Sequence, residues 1–490
     1  MNDPNRPNLL FLFSDQHARH VTGCYGNTVV ATPHLDRLAA GGLVFDNAYC
    51  PSPICVPSRM SMLTGCYPSQ QDCWTNDDFL ASDRATWLHA VAAADYRPIL
   101  VGRLHAMGPD QMHGYAAREI GDHSPNWAGI KRHNLGVLAN ANDPYRASLT
   151  ASGIGQSAYE VKDVDATQAA CSALDRFAGG AEPFCLSVGF ILPHPPYVAR
   201  PEDYARYETS VGLPRLRVPD EEHPWLAWWR RDRGIADATA EETLRARRAY
   251  FALVTRLDAM IGQILDKLEA TGLARNTLVV YSSDHGDQLG ERGLWWKHTF
   301  YEESVAVPLI LRWPGRLAAG ERRKQIVNLT DVSATMLDAL SAPALPNASG
   351  RSFLGIARNA TASWDDQTFS EYCTDAVPAW TGGQAVRQRM IRRGRWKLVY
   401  YHGYAPQLFD LVADPDECRD YAADPTYAET RAELTTRLLA DWDPDEIERR
   451  MRRRRADKDL IGTWAQKTAP GDQYRWEMRA DQNRLDASPP

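Results

Sequence analysis

Three apolar segments of this chain each end in a polar cluster that contains Asp or His, and no other feature of the sequence constrains the fold as strongly. The segments span residues 8–13, 184–192 and 277–281. Uninterrupted apolar runs of this length are typical of strands buried in a parallel sheet. Helical patterns alternate with them, at 33–42 and at about 241–271, so we expect a largely parallel sheet with helices on both faces. Ligand sites in such sheets gather at the carboxyl ends of the strands, where the polar clusters lie.

Cys55 lies in a Cys-Val-Pro-Ser-Arg run, and its neighbours predict a position near the beginning of a helix. Pro57 suits the first turn of a helix because it has no N–H to leave unsatisfied, and Gly65 can end the helix. Anionic groups are favoured at a helix N-terminus, and Arg59 adds a positive charge one turn along. From spacing alone, a cysteine beside a proline is more often a small buried residue than a nucleophile.

The motif Cys-x-Pro-x-Arg, which continues here through Leu-Thr-Gly to Gly65, resembles the signature of the sulfatase family. The similarity extends from the first strand to the small C-terminal domain. It implies that a formylglycine-generating enzyme oxidises Cys55 to formylglycine. It also implies an α/β sandwich like that of alkaline phosphatases, with a large, mostly parallel central sheet flanked by helices and a small C-terminal antiparallel sheet with a helix.

The resemblance assigns metal ligands to two of the polar clusters. Asp15 and Gln16 match the family's first pair, Asp284 and His285 match the second, and an oxygen of the modified Cys55 completes the set. The implied cofactor is one divalent cation, Ca²⁺ or Mn²⁺, with Mg²⁺ as a further candidate. Many sulfatases carry Asp-Asp and Asp-Asn in these places, whereas Gln and His resemble the choline-sulfatase and phosphonate-monoester-hydrolase branch. An imidazole ligand shifts the metal preference towards Mn²⁺.

Further residues match the family's catalytic and substrate-binding positions. Gly-Arg-Leu-His at 102–105 resembles the family's Gly-Lys-x-His, and His105 is the candidate base that hydrogen-bonds a hydroxyl of the modified Cys55. Arg103 stands where the family usually has Lys, and we expect an electrostatic role because Arg does not readily release a proton. The other matched residues are Arg59 in the catalytic motif, His194 and Lys297 near the bridging ester oxygen, and Asn76 and His298 at the substrate.

The resemblance implies hydrolysis of small-molecule sulfate monoesters, aryl or alkyl and choline-type, to an alcohol and inorganic sulfate. The nucleophile is a formylglycine hydrate, and a covalent sulfo-enzyme intermediate follows. One alternative is the hydrolysis of phosphonate monoesters or phosphodiesters at the same site, since these esters also carry one negative charge. Another is a non-catalytic anion- or metal-binding module with unmodified Cys55. A serine-nucleophile phosphatase is least supported, because no Ser or Thr holds the position of Cys55.

The character of the sequence changes after about residue 380. We expect a catalytic α/β domain over 1–378 and a small α+β subdomain over 379–445, in which 396–401 and 407–410 read as strands. The charged tail, 446–490, contains an arginine-rich run between acidic residues, which predicts a solvated or subunit-contacting helix. In choline-sulfatase-like enzymes the C-terminal tail joins subunits, so the resemblance implies a homo-oligomer.

The composition argues against several kinds of partner. Lys and Arg number 55 and Asp and Glu number 62, which gives a net charge of −7. General nucleic-acid binding needs a basic face, so we expect no nucleic-acid partner. No apolar run is long enough to span a membrane, and we expect no membrane partner. The chain begins without the features of a signal peptide and its nine cysteines form no regular framework, so the expected compartment is the cytoplasm.

Overall fold

The computed structural model describes residues 6–130, 135–374 and 385–486, and its strands form one large sheet and two small ones. In chain order the strands are β1 Asn8–Asp15, β2 Leu43–Tyr49, β3 Arg97–Gly102, β4 Ala117–Glu119, β5 Gly153–Gln156, β6 Phe184–Pro193, β7 Val198–Ala199, β8 Thr277–Ser283, β9 Leu309–Arg312, β10 Glu321–Asn328, β11 Gln367–Cys373, β12 Arg387–Arg393, β13 Trp396–Tyr401, β14 Gln407–Asp410 and β15 Arg484–Leu485. The α-helices are α1 Pro33–Ala40, α2 Cys55–Thr64, α3 Pro68–Gln71, α4 Trp87–Ala93, α5 Ala147–Thr150, α6 Ala158–Ala178, α7 Pro201–Tyr204, α8 Pro224–Asp232, α9 Ala240–Ala270, α10 Glu302–Val305, α11 Leu329–Ala339, α12 Leu354–Arg358, α13 Ala428–Leu439 and α14 Pro444–Thr468.

The large sheet has eight strands in the order β10-β2-β9-β8-β1-β6-β3-β4. Its neighbouring strands are parallel except around β9, which is antiparallel to β2 and to β8. The strands β1, β6 and β8 contain the three apolar segments, lie next to one another and are buried along their whole length. Helices flank the sheet, with α6 and α9 packed against each other and against β6. The predicted α/β class with a mostly parallel central sheet is confirmed.

The long helix α9 begins and ends at local signals. Thr239 precedes the helix and accepts a hydrogen bond from Glu242 N, while the Glu242 carboxylate accepts one from Thr239 N. This capping box satisfies N–H groups that the first turn leaves without partners inside the helix. Gly272 follows the helix with a φ of 72°, which a residue without Cβ adopts readily. The observed helix differs by one residue at each end from the predicted 241–271.

A small antiparallel sheet, β11-β12-β13-β14, confirms the predicted C-terminal element. The segments 396–401 and 407–410 form its last two strands, as the sequence predicts. Leu438 of α13 and Ile447 of α14 are buried in the core behind this sheet. The predicted boundary between residues 378 and 379 lies outside the described residues. The strand β11 precedes it and pairs with β12 along its whole length.

The charged tail forms the helix α14 and a segment that returns to the edge of the large sheet. The arginine-rich run lies on α14, whose N-cap is Asp443. Arg475 forms a parallel bridge with Asp122, and β15 pairs with β5. Within the three described ranges, no helix combines the length and the apolar character that crossing a membrane requires.

Candidate active site

The predicted metal ligands meet where neighbouring strands of the large sheet end. Asp15 is the last residue of β1, and Asp284 and His285 directly follow β8. Because β1 and β8 are parallel neighbours, the residues that follow their carboxyl ends come to the same place. Ligand atoms of Asp15, Cys55, Asp284 and His285 all lie within 4.8 Å of one another, and all four residues are buried. The structure thus brings together residues that the sequence separates by up to 270 positions, more than half of the chain.

Cys55 occupies the centre of this group. It is the first residue of α2, so its side chain lies at the positive end of the helix. Its Sγ lies 3.2 Å from His285 Nε2, 3.1 Å from Lys297 Nζ and 3.8 Å from Asp15 Oδ1. A reactive oxygen on this side chain would therefore lie close to the His285 imidazole, the Lys297 amino group and the Asp15 carboxylate.

The start of α2 depends on Asn76. The helix begins two residues before Pro57, and Asn76 Oδ1 accepts a hydrogen bond of 3.0 Å from Val56 N in the first turn. Helix N-termini leave such N–H groups without intrahelical partners, so this contact anchors the turn that presents Cys55. The helix ends at Gly65, which has a φ of 68°, as the sequence predicts.

Arg59 holds the two carboxylates of the predicted metal site. Its Nη2 lies 3.0 Å from Asp15 Oδ2 and its Nε lies 2.8 Å from Asp284 Oδ2. The guanidinium also lies over the Phe13 ring, 5.0 Å from the centroid. Burial alone would raise the pKa of Asp15, but the positive charges of Arg103 and Arg59 hold that pKa well below its usual value. The two arginines thus keep the Asp15 carboxylate ionised.

Gln16 is oriented by contacts at both ends of its amide. Its Oε1 accepts a hydrogen bond of 2.8 Å from Lys297 Nζ, and its Nε2 donates one of 2.6 Å to Asp287 Oδ2. Asp287 also accepts from Tyr197 OH at 2.7 Å. The sequence reasoning missed Asp287, although it lies in the same polar cluster as Asp284. These contacts turn the Gln16 oxygen towards Lys297 and leave its nitrogen facing away.

The donor set fits a divalent cation. His285 Nδ1 lies 3.1 Å from Gly286 O, so Nδ1 carries the hydrogen and Nε2 keeps its lone pair towards the carboxylates. Burial lowers the pKa of His285 to about 4, which keeps the imidazole neutral and able to bind a metal ion. Two carboxylates from Asp15 and Asp284, this imidazole and the Gln16 amide oxygen are ligands that Ca²⁺, Mn²⁺ and Mg²⁺ accept, with Mn²⁺ most tolerant of the nitrogen.

Arg103 connects Asp15 to His105. Its Nε donates to Asp15 Oδ2 at 2.6 Å and its Nη2 donates to His105 Nδ1 at 2.8 Å. Because guanidinium only donates hydrogen bonds, Nδ1 of His105 is the acceptor and a neutral ring carries its hydrogen on Nε2. Burial and the Arg103 charge place the pKa of His105 well below its usual value. The predicted role of His105 as a base stays a prediction, and this geometry instead favours donation of a hydrogen bond from Nε2.

Asp122 was not among the sequence-predicted residues, yet it positions His105. Its Oδ2 accepts hydrogen bonds from Leu104 N at 3.1 Å and His105 N at 2.6 Å. Its Oδ1 lies 3.6 Å from Arg103 Nη1. The pair Asp122-His123 follows β4 at the same sheet edge, so a fourth strand-end cluster was the available signal.

The two remaining predicted histidines lie beside the same space. His194 directly follows β6, and its Nδ1 lies 2.7 Å from Pro195 O. His298 packs against Trp229 and Tyr372, with ring centroids 4.8 and 5.4 Å apart. Burial, together with the neighbouring charge of Lys297, holds the pKa of His298 well below its usual value. Both rings are therefore held at fixed places by backbone or aromatic contacts.

A cavity of about 440 Å³ lies over Cys55. The sequence-predicted residues that line it are Gln16, Cys55, Asn76, Arg103, His105, His194, Lys297 and His298. Asp15, Arg59, Asp284 and His285 lie beneath it and are not among its lining residues. Lining residues that the sequence reasoning missed include Asp77, His123, Trp127, Asn142, Asp143 and Tyr159. Most of these lie on irregular loops, for which the sequence carries no periodic signal.

Comparisons with known proteins agree with this arrangement. The sequence model of the sulfatase family matches residues 7–342, and the model of the C-terminal region of N-sulphoglucosamine sulphohydrolase matches residues 290–442. The choline-sulfatase of Rhizobium meliloti is 31% identical over 93% of this chain and 91% of its own length. The arylsulfatase K of Bos taurus is 30% identical over 86% of this chain and 79% of its own.

Solved structures share the fold. The phosphonate monoester hydrolase of Agrobacterium radiobacter has a TM-score of 0.74 at 22% identity, over 89% of this chain and 95% of that one. The phosphonate monoester hydrolase of Silicibacter pomeroyi has the same TM-score and coverage at 25% identity. The sandwich and the small C-terminal sheet are therefore shared across these proteins.

Proposed function

This chain belongs to the sulfatase family and is a sulfuric ester hydrolase, and we propose that its nucleophile is a formylglycine hydrate made from Cys55. The observation that carries the proposal is the position of the Cys55 Sγ, which lies between the candidate metal ligands and Lys297. A formylglycine-generating enzyme is the proposed maturation partner. Metal dependence is typical of the family, and Asp15, Gln16, Asp284 and His285 are the residues that would hold the ion.

The proposed reaction has two steps. The aldehyde at residue 55 adds water and carries two hydroxyl groups; one of its oxygens attacks the sulfur, the sulfur–oxygen bond to the alcohol breaks, and the alcohol takes up a proton. The second hydroxyl then loses its proton, the carbon–oxygen bond to sulfate breaks, and sulfate leaves as the aldehyde forms again. A bound divalent cation, Ca²⁺ or Mn²⁺ with Mg²⁺ as a further candidate, would lower the pKa of a hydroxyl at residue 55.

The side chains around Cys55 supply positive charge and hydrogen bonds. Lys297, fixed by the Gln16 oxygen, lies 3.1 Å from the Sγ and is placed to offset negative charge on a reacting oxygen. His194 lines the cavity and is the second group proposed to act at the leaving oxygen. We assign to His105 a hydrogen bond from Nε2 and to Arg103 the positioning of that ring.

The residues that line the cavity favour an ester whose alcohol part is small and is aromatic or positively charged. Its lining includes the rings of Trp127, Tyr159 and Trp296 and the carboxylates of Asp77 and Asp143. Aromatic faces and carboxylates attract quaternary ammonium groups, and a relative that is 31% identical over 93% of this chain is named choline-sulfatase. Aryl sulfates and choline-type sulfates are thus the proposed substrates. Hydrolysis of phosphonate monoesters or phosphodiesters is the second candidate, because two of the fold neighbours are named phosphonate monoester hydrolases.

Chemical labelling of residue 55 tests the nucleophile. The protein is co-expressed with a formylglycine-generating enzyme, treated with a hydrazine and a thiol-alkylating reagent, and digested for mass analysis of the peptide that contains residue 55. A hydrazone there, absent from Cys55→Ala, is the expected result. An alkylated thiol with no hydrazone would contradict the proposal and favour a non-catalytic anion- or metal-binding role.

Assays then rank the substrates. Initial rates for an aryl sulfate, choline sulfate and a phenylphosphonate ester are compared on the hydrazine-reactive protein. Faster turnover of either sulfate supports the proposed function, whereas faster turnover of the phosphonate ester supports the second candidate.

The cell compartment and the assembly are further proposals. We place the protein in the cytoplasm, because its nine cysteines form no regular framework, and as a homo-oligomer joined by its tail. Sedimentation of a chain ending at Trp442 tests the assembly. A truncated chain that keeps the oligomeric state of the full chain would contradict it.

A further inference from the structure

Two loops of the cavity are held by one stretch near the end of the chain. We call residues 72–79 the first wall loop and residues 122–130 the second wall loop, since both contribute lining residues. The C-terminal segment, residues 444–476, comprises α14 and the irregular chain that follows it. It contacts both wall loops, and none of its own residues lines the cavity.

Lys458 of α14 forms an ion pair with a carboxylate inside the first wall loop. Its Nζ lies 3.0 Å from Asp78 Oδ1, and Asp78 is only 1% exposed. The other oxygen of Asp78 accepts hydrogen bonds of 2.8 Å each from Trp74 N and Thr75 N. Arg454 adds a hydrogen bond of 3.0 Å to Phe79 O. Asp78 therefore closes the turn of the loop, and α14 supplies the positive charge that its burial requires.

The closed turn carries residues that line the cavity and contact the beginning of α2. Asn76 and Asp77 lie between Thr75 and Asp78, and both line the cavity. Asn76 also accepts the hydrogen bond from Val56 N, the residue after Cys55. A chain of contacts therefore runs from Lys458 through the first wall loop to the beginning of α2.

The C-terminal segment holds the second wall loop by different contacts. Trp464 packs edge-to-face on Trp127, with centroids 5.0 Å apart, and Gln466 Nε2 donates a 3.0 Å hydrogen bond to Gly129 O. Further along, Asp472 Oδ1 accepts a hydrogen bond of 2.8 Å from Asn126 N. The loop has no regular secondary structure of its own beyond turns, so these contacts decide where its cavity-lining residues lie.

We propose that the C-terminal segment sets the affinity of the enzyme for its ester by positioning both wall loops, with Lys458 as the positioning residue of the first. The proposal rests on the proposed function for the identity of the substrate. Asp78 and Thr75, which Lys458 contacts, are not part of the large hydrophobic core, so loss of the ion pair should loosen a loop and leave the fold intact.

The test compares Lys458→Met, Lys458→Arg and Arg453→Met, an exposed position on the same helix with no contact to the wall loops. Hydrogen exchange at residues 72–79 is followed by mass spectrometry, and KM and kcat are measured with 4-nitrophenyl sulfate. For Lys458→Met we expect faster exchange in the first wall loop and a KM raised by roughly 5–30-fold, the change that one or two kcal/mol produces, with kcat little changed. Lys458→Arg restores most of the affinity, and Arg453→Met leaves both measurements unchanged.

Unchanged exchange and KM in Lys458→Met would overturn the proposal, and so would a loss of kcat with unchanged KM. A general rise in exchange across the large sheet would also overturn it, because it would make Lys458 a residue of global stability. If the wild-type protein hydrolysed no sulfate ester, the proposed function would fail, while hydrogen exchange alone would still decide whether Lys458 positions the loop.

Discussion

At the scale of single residues, one arginine contacts both buried carboxylates of the candidate metal site. Arg59 contacts both Asp15 and Asp284. It is only 1% exposed, so water does not reach the carboxylates to take the place of the guanidinium. We expect Arg59→Met to lower the free energy of unfolding of the metal-free protein by about 3 kcal/mol, because breaking a buried pair leaves charge uncompensated. Urea unfolding followed by tryptophan fluorescence measures this loss.

Arg176→Met is the control for this prediction. Arg176 forms an exposed ion pair with Glu119, for which we expect a loss of about 0–1 kcal/mol. Equal losses in the two variants would mean that Arg59 does not hold the carboxylates.

Asp287 sets the orientation of a candidate ligand without being a ligand. It accepts the hydrogen bond from Gln16 Nε2 and so turns Oε1 towards the site. We expect Asp287→Asn to weaken binding of Mn²⁺ by about 10–100-fold, as loss of supporting contacts does at other metal sites. Calorimetric titration with MnCl₂ checks this, with Asp175→Asn, an exposed residue paired with Lys267, as the control. Equal Mn²⁺ affinity in the wild type and both variants would show that Asp287 does not support the metal ligands.

At the scale of elements, we expect the packing of α1 against α9 to be sensitive to pH. Asp258 of α9 accepts hydrogen bonds from His34 N and Leu35 N at the beginning of α1. Burial raises the pKa of this carboxyl to about 7. In the unfolded chain an Asp titrates near 4, so the folded state binds the extra proton between about pH 4 and pH 7, and stability falls as pH rises through that window.

Asp258→Asn removes this titration and keeps an oxygen acceptor. We therefore expect the urea midpoint of the variant to fall less than that of the wild type between pH 5 and pH 7.5. The control is Asp266→Asn, an exposed residue of the same helix that pairs with Arg37. Parallel pH profiles for wild type and Asp258→Asn would refute the prediction.

At the scale of the whole molecule, a buried lysine joins the small sheet to the catalytic region. Lys397 of β13 is fully buried, donates to Phe300 O and lies 2.7 Å from carboxylate oxygens of both Glu302 and Glu417. Phe300 and Glu302 follow Lys297 in the chain, so this contact ties the small sheet to a residue of the site. The small sheet is thus held to the segment of the chain that follows Lys297.

We expect Lys397→Met to destabilise the protein by about 3–5 kcal/mol, because two buried carboxylates lose their shared cation. Differential scanning calorimetry measures the change, and Lys467→Met, at an exposed position of α14, is the control. A second, separate unfolding transition in the wild type would show that the small sheet unfolds independently, against this prediction.

Much of the central sheet and of the candidate metal site could be predicted from the sequence. Strands β1, β6 and β8 were recognisable because burial on both faces requires uninterrupted apolar residues, and the ends of these strands are where ligands meet. Asp15 and Asp284 could therefore be assigned from local pattern together with the sulfatase motif around Cys55. The order of the eight strands could not be predicted from the sequence, since it depends on which strands pair with each other.

The sequence alone is enough to predict the fold class, a helix that begins near Cys55 and the polar side chains that gather at the strand ends. These follow from short-range patterns of polarity and from one specific motif. The folded structure was needed to show that Arg103 binds His105, that Asp287 orients Gln16 and that Lys458 pairs with Asp78, 380 positions earlier in the chain. Such contacts leave no periodic trace, because they depend on how distant loops pack and on which buried charge needs a partner.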